Sequence, residues 1–215
     1  CGKTVLMRDR LCFDGVTTVY KAAFAVFAVL LLLSVYAQFV AGDASPDKAL
    51  TLYTADAWLS GKALYSQLFT VQPAFIYYLY SLPVYVARLF GGIADYTMLT
   101  AFVLLAIAVV TACALRMIRF HPAFRSDCRQ QMEFCALLLF VFILFQNPIF
   151  FADREHIFLI LVFPYLLRWM PSVAQAPLPW HWRVVIGLLA ACGFCIKPHC
   201  LVVLAGINLA GMIMQ

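Results

Sequence analysis

Apolar runs long enough for membrane helices alternate along this chain with short polar stretches that hold most of its charge. Ala22 to Ala41 is a nearly continuous apolar run of about the 20 residues that a spanning helix needs. Pro73 to Phe90 is a second run, interrupted by Pro83, and Tyr96 to Ile118 is a third. Phe134 to Phe145 forms a fourth that breaks at Asn147-Pro148, and Ile157 to Trp169 a fifth. Val184 to Met214 is one long stretch broken at Lys197-Pro198-His199, with room for two segments. Backbone groups inside a bilayer must be satisfied within their own segment, so the expected fold is all-α. The pattern predicts a polytopic transmembrane helical bundle of about six to seven membrane segments.

One polar stretch interrupts this pattern with acidic residues, Asp43 to Gly92. Within it Leu50, Tyr53, Ala57 and Trp58 recur at helical spacing, with Asp47, Lys48, Thr54 and Asp56 elsewhere. This predicts an amphipathic helix over 47–59 lying on a membrane surface and ended by Gly61. Lys62, Tyr65 and Gln67 then lead to Gln72-Pro73 and the aromatic run Phe75 to Tyr78. A polar loop over 42–72, folded against the bilayer, sits where a lipid-borne substrate would arrive. The organisation expected is a single membrane domain over 1–215: an N-terminal part at 1–21, the external loop at 42–72, and the remaining membrane segments at 73–215. A chain that starts at Cys1 and stops at Gln215 inside an apolar run is expected to be part of a longer one.

Charge decides the orientation. Lys3, Arg8, Arg10 and Lys21 place the N-terminus in the cytoplasm, and Arg116, Arg119, Arg125 and Arg129 ask the same of their loop. If every run crosses, that arginine loop falls outside and Asp153–His156 falls inside. If Pro73–Phe90 bends at Pro83 and does not cross fully, the arginines return to the cytoplasm. Asp47, Arg154–His156 and Lys197–His199 then all face outward, and this is the topology expected here.

Composition agrees with a membrane protein: 65% of the 215 residues are hydrophobic, 12% are charged, and the mean hydropathy is +0.93. The net charge of +5 sits near segment ends and forms no basic stripe, so nucleic acid is not an expected partner. The eight cysteines lack the spacing of a secreted disulfide framework and read mainly as small packing residues. Cys192, Cys195 and His199 share a helical face and offer three metal ligands without an evident fourth.

Four consecutive ionisable residues, Asp153 to His156, stand between two apolar runs, where a charge costs roughly 2.5–3.5 kcal/mol at mid-membrane. They form either an interfacial turn, with Arg154 paired to Asp153 or Glu155, or a polar site. Lys197 and His199 flank Pro198, which frees backbone carbonyls in an apolar helix. A cation there either binds a phosphate or carboxylate or snorkels to the interface. Asp43 and Asp47 are the loop carboxylates best placed to act as a general base, with a solvated acidic loop as the alternative.

The order of Asp47, Tyr53, Ala55, Trp58-Leu59, Gly61 and Tyr65, then Gln72-Pro73, Tyr77-Tyr78-Leu79, Pro83 and Ala87-Arg88-Leu89-Phe90-Gly91, resembles the first external loop and second membrane helix of GT-C superfamily glycosyltransferases. Arg154-Glu155-His156 with Pro164-Tyr165-Leu166-Leu167, and Gly193-Phe194 with Lys197-Pro198-His199, resemble a bacterial branch of these polytopic enzymes. The resemblance runs over roughly residues 43–205. It implies a bacterial inner-membrane enzyme that takes a sugar from a polyprenyl-phosphate carrier and moves it to an acceptor on the non-cytoplasmic face. Asp47 matches the loop carboxylate that acts in the superfamily as base or acceptor-orienting group. Arg154 and Lys197 would hold the donor phosphate, and Lys62, Gln72, Glu155, His156 and His199 complete the expected substrate-binding set.

Two positions depart from the pattern. Lys48 stands where many members have a second acidic residue, which argues against a metal-assisted variant, although a divalent metal stays open as a cofactor. Gln72 stands where the related lipid A sugar transferases have a lysine, so Lys62, Arg154 or Lys197 must supply that phosphate contact. The expected partners are the lipid-linked sugar, the bilayer and other membrane proteins. Two other readings stand beside the transferase: a non-catalytic membrane subunit, and a small transporter using Asp153–His156 and Lys197 as an ion path. The lack of repeated halves counts against the transporter.

Overall fold

The computed structural model describes residues 18–40, 45–68, 70, 72–91, 94–119, 128–168, 178–202, 205, 206 and 209. Every regular element among them is helical, as the apolar pattern requires. The order is α1 (Thr18–Val40), α2 (Pro46–Leu59), α3 (Ala74–Phe90), α4 (Asp95–Ile118), α5 (Cys128–Leu139) continued by a π-helical turn (Phe140–Leu144), α6 (Arg154–Leu167) and α7 (Trp180–Ile196). Among the described residues, two helices are long and apolar enough to cross a membrane: Tyr20–Val40 of α1, and α4. The helices α3 and α7 are apolar but shorter.

Contacts at the helix ends fix the directions. Tyr20 at the start of α1 donates to Glu133 of α5, and Arg119, just past α4, donates to Gln131. At the other end of α1, Ser34 donates to the Ile143 carbonyl and Gln38 to that of Gln146. So α1 runs alongside α5 and its π-helical extension, and α4 runs opposite to both. An antiparallel pair is formed by α6 and α7, with Glu155 at the start of one bonded to Lys197 at the end of the other.

Both ends of α3 lie at the polar end of this bundle. It starts beside Gln72, which lines a cleft with Arg154 at the start of α6. It ends at Arg88, which donates to the Asp56 carboxylate, to the Asp56 carbonyl at 2.8 Å and to Ser60 Oγ at 2.9 Å. The charges of Asp56 and Arg88 both act on Asp95, the first residue of α4. Pro83 lies inside this single continuous helix, and α3 does not run on to the Arg119 end of α4.

The helix α2 forms where it was expected, and Gly61, at φ +90°, follows its last turn in the left-handed backbone that glycine adopts easily. Its inward face is not the Leu50–Tyr53 stripe expected to lie on the membrane. Lys48, Thr51, Leu52, Thr54, Ala55 and Ala57 point inward, while Leu50 and Tyr53 are 52% and 60% exposed. Small Thr51 and Ala55 let α2 approach α3 closely, and Lys48 finds carbonyl partners in the interior, so rotation of the helix costs little polar burial.

The core gathers Tyr80 and Val84 of α3, Ile107, Val110 and Met117 of α4, Phe142 of the π-helical turn and Ile160 of α6, all nearly inaccessible. Large apolar side chains also cover the outside, including Val26, Leu30, Leu33 and Tyr36 of α1. Such a surface is costly in water and is normal against lipid.

Gly193 sets the α6–α7 spacing. A Cβ there would meet Val162 Cγ2 at 2.5 Å and Leu161 Cβ at 3.4 Å. Gly193→Ala is expected to cost about 1–3 kcal/mol by overpacking, read as a lower midpoint in thermal unfolding of the purified protein. An unchanged midpoint would show that these helices do not touch there.

Candidate functional site

Three helix ends and one turn build the polar end. Ser45 caps α2: its hydroxyl oxygen accepts from the Lys48 N–H at 3.3 Å while its O–H donates to Asp153 Oδ1 at 2.8 Å. This ties the start of α2 to the start of α6. Pro46 at the first helical position and Asp47 in the first turn both suit a helix N-terminus.

The turn before α6 is held from three sides. The buried Lys48 ammonium donates to the carbonyls of Ile149 at 3.0 Å and Phe151 at 2.6 Å, and lies 4.9 Å from the centre of the Tyr96 ring. Tyr80 donates through its hydroxyl to the Ala152 carbonyl at 2.6 Å. His156 accepts from the Ala152 N–H through Nδ1 at 3.1 Å and faces the Phe142 carbonyl through Nε2 at 3.0 Å. The first contact makes Nδ1 the acceptor, so Nε2 carries the proton and donates. Ala152, fully buried, adopts φ +66°, a left-handed conformation that a non-glycine residue keeps only when its surroundings impose it.

On this frame lies a chain of charges. Arg154 stands 3.7 Å from Asp47 Oδ2, and its Nε donates to Glu155 Oε1 at 3.0 Å. Lys197, immediately after α7, reaches the same Glu155 oxygen at 2.8 Å. Asp47, Lys48, Thr51, Gln72, Tyr80 and Arg154 line a cleft with Asp153 and Glu155, and the space between them admits about one water molecule. Gln72 is buried in that wall, and its Oε1 has no hydrogen-bond partner. Tyr80 also lines a second cavity, an apolar groove between α3, α4 and α6 formed with Leu79, Pro83, Phe102, Ala106 and Ile160.

Burial pushes the Asp153 carboxyl above its ordinary value, with the charges of Glu155 and Asp47 adding to the effect and the Ser45 hydrogen bond and Lys48 opposing it. Burial pulls the Lys48 ammonium below its ordinary value, against the attraction of Asp153. The native state thus holds the Asp153 proton to higher pH than the unfolded chain does, and as pH falls through that window native stability gains from this group. Asp153→Asn removes the gain. Unfolding measured from pH 7 down toward 4 is expected to show the wild type gaining stability relative to the variant, and a constant difference would contradict this.

Of the residues expected from the sequence, Asp47, Gln72, Arg154, Glu155 and Lys197 come together. His156 turns away from the cleft: it is buried, and both its ring nitrogens are engaged with backbone groups, because a histidine four residues after Ala152 on the first turn of α6 reaches back to pin the turn. Lys62 is exposed beyond the far end of α2, on the order of 20 Å of helix from Asp47. His199 is exposed two residues past Lys197, outside the cleft lining. Asp43 lies outside the described residues. No group of three histidine, cysteine or acidic side chains is placed to hold a metal among the described residues, Cys192, Cys195 and His199 included. The reading of the sequence missed Lys48, Ser45 and Tyr80 as the frame of the site. The only signal for Ser45 was a serine directly before Pro46, and Lys48 entered only as a polar position of the helix and a departure from the acidic pattern.

No family model, curated protein or solved structure matches this chain.

Proposed function

We propose that this chain is a membrane module of a GT-C-like glycosyltransferase, moving a sugar from a polyprenyl-phosphate carrier to an acceptor hydroxyl on the non-cytoplasmic face of a bacterial inner membrane. The observation that carries this reading is the convergence of Asp47, Arg154 and Lys197, from three separate helices, at one end of the bundle and beside an apolar groove. A carboxylate, two cations and an adjoining apolar slot match the parts of a lipid-linked phosphosugar. In the proposed step Asp47 takes the proton of the acceptor hydroxyl, and the freed oxygen bonds to the anomeric carbon. The bond from that carbon to the phosphate oxygen breaks, and Arg154 and Lys197 stabilise the charge left on the phosphate.

The matching topology has the N-terminus in the cytoplasm, and α1, α4, α5 with its π-helical turn, α6 and α7 crossing. On the outer face lie α2 and α3, with Leu50 and Tyr53 against lipid. This gives five crossings within the described residues, and residues after Lys197 supply any sixth.

The test is sugar transfer by the purified chain in lipid vesicles, with a panel of polyprenyl-phosphate sugars and hydroxyl acceptors. Transfer supports the enzyme. The nearly unburied apolar surface of α1 favours the subunit reading instead. Failure to transfer, together with co-purification of a partner membrane protein that covers α1, would establish that alternative.

A further inference from the structure

The two cations that hold the phosphate in the proposed reaction are not free. Arg154 Nε and Lys197 Nζ both contact one and the same oxygen, Oε1 of Glu155, at 3.0 and 2.8 Å. A single anionic oxygen held between a guanidinium and an ammonium is the contact that a phosphate oxygen makes with such a pair. The exposures differ in a telling way: the side chains of Lys197 and Arg154 are 22% and 34% exposed, that of Glu155 55%. The cations are set into the wall, and the carboxylate can swing off them into solvent.

We propose that Glu155 occupies, as a displaceable internal anion, the seat of the donor's phosphodiester, which must expel it to bind. This rests on the transferase reading and names the ligand class of that site: a singly charged phosphodiester carrying a lipid tail. Charge supports the exchange. Lys48, Arg154 and Lys197 balance Asp47, Asp153 and Glu155, so one phosphodiester charge in place of the Glu155 carboxylate leaves the cluster neutral. Space supports it too, because the cleft admits about one water and the seat has to be vacated before a headgroup enters. Gln72, with its buried and unpartnered Oε1 in the same wall, is left to accept from a hydroxyl of the headgroup. After transfer the carrier is left as a phosphomonoester, more negative than the donor, and the returning carboxylate competes with it for the same cations and helps release it.

The test measures the affinity of a farnesyl-phosphate sugar for the purified chain in detergent, with inorganic phosphate as a second probe. If Glu155 fills the seat nine-tenths of the time, removing it tightens the lipid phosphodiester about tenfold. Glu155→Ala and Glu155→Gln are both expected to bind more tightly than wild type, and Lys197→Gln more weakly. Equal affinity in wild type and both Glu155 variants, with Lys197→Gln still weaker, overturns the inference and leaves the transferase reading standing. A response confined to inorganic phosphate overturns the lipid assignment. No binding of either probe by any of these proteins, each folded by thermal unfolding, overturns the inference and the phosphate site of the transferase together.

Discussion

Lys48→Met is expected to cost the fold about 3–5 kcal/mol, the range for removing one partner from a buried charged cluster. Methionine keeps the volume of the lysine stem, so the loss falls on the polar contacts. Two carbonyls, of Ile149 and Phe151, lose their ammonium donor in a buried turn, and each unpaired group costs about 1–3 kcal/mol. Asp153 loses the nearest charge opposing its burial. The turn carrying Ala152 in its left-handed conformation then keeps the side-chain contacts of Tyr80 and His156 but not the ammonium. Thermal unfolding in detergent reads the effect, and Lys62→Met is the control: exposed beyond the end of α2, it is expected to change stability by less than about 0.5 kcal/mol. Equal effects of the two substitutions would show that Lys48 is not the interior pin.

Asp47→Asn is expected to lower the transfer rate by about 10²–10⁴-fold, the usual contribution of a positioned general base, with little change in affinity for the lipid-linked sugar. Two observations separate chemistry from folding here. The Asp47 side chain is 69% exposed and its ion pair with Arg154 is long, at 3.7 Å, so the substitution breaks no buried contact. Asp153, a second carboxylate of the cleft, accepts from Ser45 and anchors the two helix starts, so Asp153→Asn is expected to retain transfer while altering stability with pH. The reverse result, with Asp153→Asn inactive and Asp47→Asn active, would move the base to Asp153.

The helices were legible because the apolar runs and their breaks mark where each begins and ends. The expectation that Asp47, Arg154 and Lys197 meet came from placing the ends of their three segments on one side, and the ion pairs do join them through Glu155. What the sequence hid was the facing of individual side chains. The apolar spacing of Leu50 and Tyr53 was read as a membrane-facing stripe, but nothing in it told that Lys48 on another side of the helix is buried against the Ile149 and Phe151 carbonyls. His156 reads as a ligand in the same string as Arg154 and Glu155, yet successive helical residues point about 100° apart, and only the third of these turns inward. The left-handed Ala152 leaves no trace in composition, because its turn is held by Tyr80 and Lys48 from distant parts of the chain and by His156 four residues on.

The central claim of the proposed function is that Asp47 and Lys197, linked through Arg154 and Glu155, stand at one site on the outer face of the membrane. In a cysteine-free background, Asp47→Cys and Lys197→Cys label with a membrane-impermeant maleimide, and the double variant is joined by a short bis-maleimide. The account predicts labelling of both from outside in intact cells and an efficient crosslink, with Arg119→Cys labelled only after permeabilisation. Labelling of Asp47→Cys and Lys197→Cys from opposite sides, or no crosslink between them, would contradict the shared site.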